Sequence, residues 1–210
     1  EYAYGPIISI GSKTSVSALS HKAQSEEFDF TAKPAFLSKD GISFAGKGTA
    51  MHKVMEFFDF GNWENPETEL ERLLEWQFIS QTEFESIDLN ALKAFFASDI
   101  FKRVLNSKLV KREMKFITEI PATRIDKSLD EKFVHEKVIV QGAVDICFEE
   151  EDGIVILDFK TDRTRNPEHF VSAYKEQLDI YAIACEKIFK KPVKQKIIYS
   201  FFMSKEIEIR

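Results

Sequence analysis

Ile154-Val-Ile-Leu-Asp158-Phe-Lys160-Thr-Asp162 is a run of four aliphatic residues that ends in alternating charge. The turn pair Asp152-Gly153 precedes it, so the run reads as a β-strand. Alternation along a strand puts Ile154, Ile156, Asp158 and Lys160 on one face and Val155, Leu157 and Phe159 on the other. A carboxylate and an ammonium at the end of an apolar strand are costly to bury. They are either a solvated ion pair at a strand end or part of a site that uses both charges.

One strand upstream lies Gln141-Gly-Ala-Val-Asp145, within a segment from Lys137 to Glu149. The Glu150-Glu-Asp-Gly153 turn joins that segment to Gly153–Lys160 as an antiparallel hairpin. Val138, Val140, Val144, Ile146 and Phe148 are apolar at even positions, so Asp145 is expected to look the other way, with Gln141, Ala143 and Cys147. Gly142 removes a side chain where another group needs to come close. The hairpin brings Asp145 and Asp158 to one face. Two carboxylates held together are tolerated when a divalent cation sits between them, and hard oxygen ligands favour Mg²⁺, with Mn²⁺ as a substitute. Lys160 is then placed to orient or deprotonate an attacking water, or to stabilise charge on a phosphate.

After the hairpin, Asn166-Pro167 opens a helix from Glu168 to Phe189, and Pro192 precedes a strand from Val193 to Met203. Gln177 and Tyr181 are four residues apart on one helical face, with Tyr174 on the same side. They suit either contact with DNA phosphates and support of the lysine, or a half-buried tyrosine stripe. A further strand, Val110–Pro121, lies upstream of the hairpin.

The first half of the chain reads as helical. Residues 1–11 are expected to be a linker, Ser12 to His21 a short hydroxyl-capped helix with His21 solvated, and residues 25–44 an irregular connection. Gly46-Lys47-Gly48 lacks the Ser or Thr that follows the lysine of a phosphate loop, and no apolar strand precedes it, so no nucleotide site is expected. From Gly48 to Phe58 a helix buries Met51, Val54, Met55 and Phe58, with His52 beside that stripe. By itself His52 reads as a core-edge histidine held by a hydrogen bond. A second helix spans Pro66–Ser80 with an acidic outer face, and two short helices follow, opened by Asp88 and Ser98. Trp63 and Trp76 read as core or interface residues. The element order, helices and then strand–strand–strand–helix–strand, implies an α/β fold: a mixed central β-sheet flanked by helices. It is expected to be a single domain over 12–210, with a helical portion at 12–108 and the sheet and its helix at 109–210.

Length, 210 residues with 20 phenylalanines, allows one substantial core. No apolar run is long enough for a membrane helix, and the first residues do not read as a signal peptide. The two cysteines, Cys147 and Cys185, have no C-x-x-C spacing, which fits a reduced cytoplasmic setting. A net charge of −6 argues mildly against a free-standing nucleic-acid binder. That charge is uneven: Glu56–Asp88 holds ten acids against the single Arg72, whereas Lys160–Lys196 holds nine basic residues. Local sign decides where a polyanion approaches, so DNA is not excluded.

His52 in Lys47-Gly-Thr-Ala-Met-His52, Arg112-Glu-Met-Lys-Phe116, Gln141-Gly-Ala-Val-Asp145, Leu157-Asp-Phe-Lys-Thr-Asp162 and Tyr174-Lys-Glu-Gln177-Leu-Asp-Ile-Tyr181 follow one another in a recognisable order. Together with Lys13-Thr-Ser-Val-Ser-Ala-Leu they resemble the RecB-like nuclease group of the PD-(D/E)xK superfamily, whose core is restriction-endonuclease-like. Within it the resemblance is to the C-terminal nuclease domains of AddA-type members of ATP-dependent helicase–nucleases. The resemblance implies that His52, Asp145, Asp158 and the main-chain carbonyl of Phe159 bind Mg²⁺. It makes Lys160 the catalytic lysine, with Gln177 and Tyr181 forming the motif after the hairpin. It also implies a bacterial, cytoplasmic exonuclease that digests single strands from unwound duplex ends during double-strand-break repair by recombination. Its partners would be the helicase portion of the same polypeptide and an AddB-type subunit. The cluster-anchoring cysteines of some relatives are missing, so no iron–sulfur cluster is expected. Two other readings compete: a non-cutting DNA- or partner-binding module of the same fold, and a free-standing exonuclease.

Overall fold

The computed structural model of the chain describes residues 13–16, 44–126 and 128–210. One mixed sheet contains β1 (Lys13–Ser15), β2 (Val110–Pro121), β3 (Lys137–Glu150), β4 (Gly153–Lys160), β5 (Val193–Ser200) and β6 (Lys205–Glu208). β3 is its hub. On one edge it runs antiparallel to β2 from Val110↔Phe148 to Pro121↔Lys137. On the other it changes partner midway: β1 pairs with it in parallel at residues 139–141, and β4 antiparallel from Ile146↔Leu157 to Glu150↔Gly153. β5 then lies parallel to β4, and β6 antiparallel to β5.

Before β2 come α1 (Phe44–Phe57), α2 (Pro66–Glu75), α3 (Gln81–Ser86), α4 (Leu89–Ala97) and α5 (Asp99–Asn106). The short α6 (Ala122–Ile125) follows β2, and α7 (Pro167–Phe189) makes the crossover that parallel β4 and β5 require. Local chemistry sets these ends. Asp88 and Ser98 accept the N–H groups of Ala91 and Phe101 at the starts of α4 and α5, and Asn166 accepts that of Glu168 ahead of Pro167.

The sheet separates two cores. On one face Met51, Val54, Met55 and Phe58 of α1 join Leu73, Leu92, Phe95 and Phe101, and pack on Ile146, Phe148, Leu157, Phe159 and Tyr199. Much of the phenylalanine content sits here in mutual ring contact; Phe95 alone meets Phe101, Phe159 and Tyr199 edge-on or tilted. On the other face Phe170, Leu178, Tyr181 and Ala184 of α7 cover Val140, Val144, Ile154, Ile156 and Ile198. Cys147 and Cys185 are buried, unpaired, in this second core.

The expected stripe of α1 and the faces of β4 are observed, while several boundaries differ. Lys13–Ser15 forms a strand rather than the start of a helix, because pairing with β3 outweighs local hydroxyl capping. The Pro66 helix stops at Glu75, not Ser80: Gln77 takes a left-handed φ of 60°, and a capping box between Ser80 and Glu83 starts α3. α6 lies in the connection between β2 and β3. The last strand ends at Ser200, and a turn with Ser204 at φ 49° leads into β6, which the periodicity did not reveal. Trp63 is half-buried against the first core, whereas Trp76 is 63% exposed with Arg72 stacked on it. The linker at 1–11, His21 and residues 25–43 lie outside the described residues. No described helix is long and apolar enough to cross a membrane.

β3 also departs from simple alternation. Val138, Val140 and Val144 belong to the α7 core, but Ile146 and Phe148 belong to the opposite one, and Cys147 has joined the α7 side. β2 changes faces at the same level, with Val110 packed on the first core and Met114 and Phe116 on the second. Both reversals fall at the level of Asp145 and Glu113. Glu113 has φ 44°, a left-handed backbone unusual for a non-glycine residue.

Candidate active site

Asp145 sits where β3 exchanges β1 for β4. The β3–β4 ladder stops at Ile146↔Leu157, and continuing that register one step places Asp145 opposite Asp158. There the Asp145 side chain takes over: Oδ2 accepts the Phe159 N–H at 2.7 Å and lies 3.4 Å from His52 Nδ1. His52 comes from α1, its ring edge-on to Phe159 at 6.3 Å and its side chain 33% exposed.

Asp158 is fully buried on the α7 side. Gln177 Nε2 donates to its Oδ1 at 3.1 Å and to the Tyr181 hydroxyl at 3.0 Å. Lys160 Nζ approaches Oδ2 at 2.5 Å as an ion pair, but no hydrogen bond of proper geometry reaches that oxygen. The Lys160 ammonium also lies 4.5 Å over the Tyr174 ring, and the Tyr174 hydroxyl donates to Asp162 Oδ1 at 2.8 Å. The residues expected from sequence thus form two sets of contacts, His52 with Asp145 and Asp158 with Lys160, Gln177, Tyr181 and Tyr174, which meet at the Phe159 main chain. Phe159 contributes its main chain beside them, while its ring is core.

One acidic residue was missed. Glu113 faces Asp145 across the β2–β3 ladder, between the pairs Arg112↔Ile146 and Met114↔Val144. One ligand atom from each of His52, Glu113 and Asp145 lies within 4.8 Å of the others. The signal was present in Arg112-Glu-Met-Lys-Phe116, but strand alternation gave Glu113 no reason to turn toward Asp145. Its left-handed backbone supplies that reason. Arg112 secures the neighbourhood by donating to the carbonyls of Met55 and Phe58 at the end of α1 and by stacking 4.6 Å over Phe60. Gly142, by contrast, serves the core: a Cβ there would meet Phe116 at 2.9 Å and Val16 at 3.0 Å.

The electrostatics are unbalanced. Burial, and then the Asp145 charge, push the Asp158 carboxyl up to about 6 against the pull of Lys160. Burial followed by Asp145 and Glu56 raises Glu113 to about 7. At Asp145 burial acts upward, but His52 and Lys160 outweigh it and hold the group below the usual carboxylate range. Burial lowers Lys160 while Asp158 and Asp145 raise it further, so it stays an ammonium. Three carboxylates against one lysine and one histidine leave excess negative charge, and His52, Glu113 and Asp145, with Asp158 outside that trio and paired to Lys160, offer the donor chemistry of a divalent-cation site.

Residues 25–208 match the family described as the PD-(D/E)XK nuclease superfamily. Among curated proteins, the chain is 38% identical over 185 residues to an ATP-dependent helicase/nuclease subunit of Clostridium novyi, covering 85% of this chain and 15% of that protein. It is 34% identical to the corresponding helicase/nuclease subunit of Clostridium beijerinckii, covering 100% of this chain and 18% of the relative. The chain therefore spans less than a fifth of the length of these relatives. The solved structure of SSO0001 aligns with a TM-score of 0.35 and 14% identity over 92% of this chain and 77% of its own, too distant to carry an argument. With the family match running through the hairpin and α7, the chain belongs to the PD-(D/E)XK nuclease superfamily.

Proposed function

We propose that the domain hydrolyses DNA phosphodiesters with Mg²⁺ or, in its place, Mn²⁺, as the exonuclease portion of an AddA-type helicase/nuclease. The observation that carries this reading is the convergence of Asp145, Asp158 and Lys160 at one end of the β3–β4 hairpin, with Asp158 fully buried and paired to Lys160 and Asp145 holding the Phe159 N–H beside it. His52, Asp145, Asp158 and the Phe159 carbonyl would hold the cation, with Glu113 beside them. When bound, the cation supplies Lewis acidity toward a phosphoryl oxygen and activates water.

The remaining roles rest on the chain's own groups. Lys160, paired with Asp158, stabilises charge on the phosphate or orients the attacking water. Tyr174 restrains the ammonium from one side, and Asp162 in turn holds Tyr174. Gln177 fixes the Asp158 carboxylate, and Tyr181 fixes Gln177. In the longer protein, a helicase portion would deliver single strands from unwound duplex ends, beside an AddB-type partner, in cytoplasmic double-strand-break repair by recombination. The overall acidity of the chain agrees with a weak affinity of its own for DNA, confined to local contacts, and with delivery of the strand by a motor.

The test is cleavage of linear single-stranded DNA by the isolated domain in Mg²⁺, Mn²⁺ or EDTA, beside Asp158→Ala. Cleavage that needs the metal and disappears in the variant is expected. Wild-type rates in Asp158→Ala would falsify the assignment. Mn²⁺ binding without cleavage would favour the non-cutting module.

A further inference from the structure

A cleft of about 580 Å³ opens beside the cluster, lined by Lys47, Met51, Thr161, Arg163, Phe201 and Phe202 among others. We propose that this cleft is a nucleotide subsite, in which Phe202 stacks on the base of the residue flanking the scissile phosphate while Lys47 and Arg163 face its phosphates. The inference rests on the nuclease reading and deepens it by naming an unpaired base as part of what the site accepts.

Position is the first argument. The cleft lies at the carboxyl ends of the parallel strands β4 and β5, where open α/β sheets bind ligands. Thr161 follows Lys160 directly, and the Phe201 N–H donates to the Lys160 carbonyl at 2.9 Å, so cleft and cluster share a wall. α1 forms the other wall and links the two. Gly48 sits against Thr161, where an added Cβ would come within 2.7 Å of the hydroxyl oxygen, and His52 lies one turn further on beside Asp145. Four residues of helix rise about 6 Å, so the cleft wall and the cluster are close neighbours along α1.

Chemistry is the second. Phe202 is 44% exposed beside the buried Phe201, and Arg165 lies 6.0 Å over its ring. An exposed aromatic ring with a guanidinium beside it is a common platform for a single-stranded base. Two acids also line the cleft and offset its two cations, Asp88, which caps α4 through the Ala91 N–H, and Asp162, which accepts the Tyr174 hydroxyl, so stacking on the base rather than net charge carries the preference. The cleft is also large enough for a base and its sugar, within the ordinary range of ligand sites.

Fluorescence anisotropy in EDTA tests this with two labelled strands of equal length, a short oligothymidylate and an abasic strand. The wild-type protein should bind the base-bearing strand roughly 5- to 50-fold more tightly. Phe202→Ala should erase that ratio without changing the melting temperature, and Phe202→Trp should restore it. Lys47→Gln should weaken both strands alike and lower the salt slope by about one. An unchanged ratio in Phe202→Ala, no preference in the wild type, or no binding of either strand overturns the proposal. Because no metal is present and no cleavage is measured, a failed subsite leaves the nuclease reading intact. Absent cleavage in Mg²⁺ with an intact base-dependent ratio would retire the nuclease reading and leave the cleft as a base-binding site without a scissile phosphate.

Discussion

At the turn end of the β3–β4 hairpin, Glu150 receives Arg103 Nε at 2.9 Å and Lys194 Nζ at 2.6 Å, and Lys194 also pairs with Asp152. At the open end, Asp145, Asp158 and Glu113 share Lys160 and His52 among them. The same two strands therefore carry a satisfied charge cluster at one end and an unsatisfied one at the other. Arg103, against a smaller cost of burial, and Lys194 draw Glu150 down to about 2, while burial drives Asp158 and Glu113 up to about 6 and 7. Where charge is matched by side chains, the cluster is structural. Where burial outruns compensation, the fold tolerates a loss that a bound cation can recover.

The contrast is most sharply tested at Lys160. Lys160→Ala should lower cleavage by about 10²- to 10³-fold, the scale for removing one preorganised electrostatic contact, with circular dichroism unchanged. Equal cleavage rates would place Lys160 with the structural charges instead. Next, Mn²⁺ at about a hundred times its dissociation constant should stabilise the wild-type fold by about 2.7 kcal/mol, read as a raised melting temperature. Asp145→Ala should lose most of that increment, whereas Glu150→Gln should keep it.

The turn end should respond to pH instead of metal. Glu150→Gln is expected to cost about 1–2 kcal/mol near neutrality, discounted from the full shift because the side chain is 24% exposed. The folded value of Glu150, about 2, lies below its ordinary 4.5, so its contribution is complete above about 4.5 and is lost as pH falls toward 2. Melting curves of wild type and variant should converge over that interval; a constant gap would show that packing, not charge, was removed. The smallest effect is expected at Gly142. Gly142→Ala should destabilise by about 1 kcal/mol or somewhat more as Phe116 and Val16 give way, while the folded fraction retains its cleavage rate.

Much of the site was legible because its signals are local. Asp158 and Lys160 share a strand face, Gln177 and Tyr181 share a helical face, and a short turn joins the strands bearing Asp145 and Asp158. The stripe of α1 was equally readable from Met51, Val54, Met55 and Phe58. What was not legible depends on partners remote in sequence. Lys13–Ser15 became a strand only because β3 offered an edge, and Gly142 answers to Phe116 and Val16 rather than to a ligand. Glu113 was hidden most deeply. Period-two reasoning assumes that a strand keeps its faces, and both β2 and β3 exchange theirs at the level where the acidic residues meet.

The change of partner along β3 also has a kinetic consequence. The β3–β4 hairpin closes a short loop, but β1 joins residues 13–15 to residues 139–141, among the most distant pairings in the sheet. Loop-closure entropy and contact order make such ladders late to form. His52, close to Asp145 yet borne on α1, arrives from a comparable sequence distance. Refolding should therefore recover helical signal first and the assembled cluster last, leaving a short-lived species with Asp145 and Asp158 aligned but His52 still away.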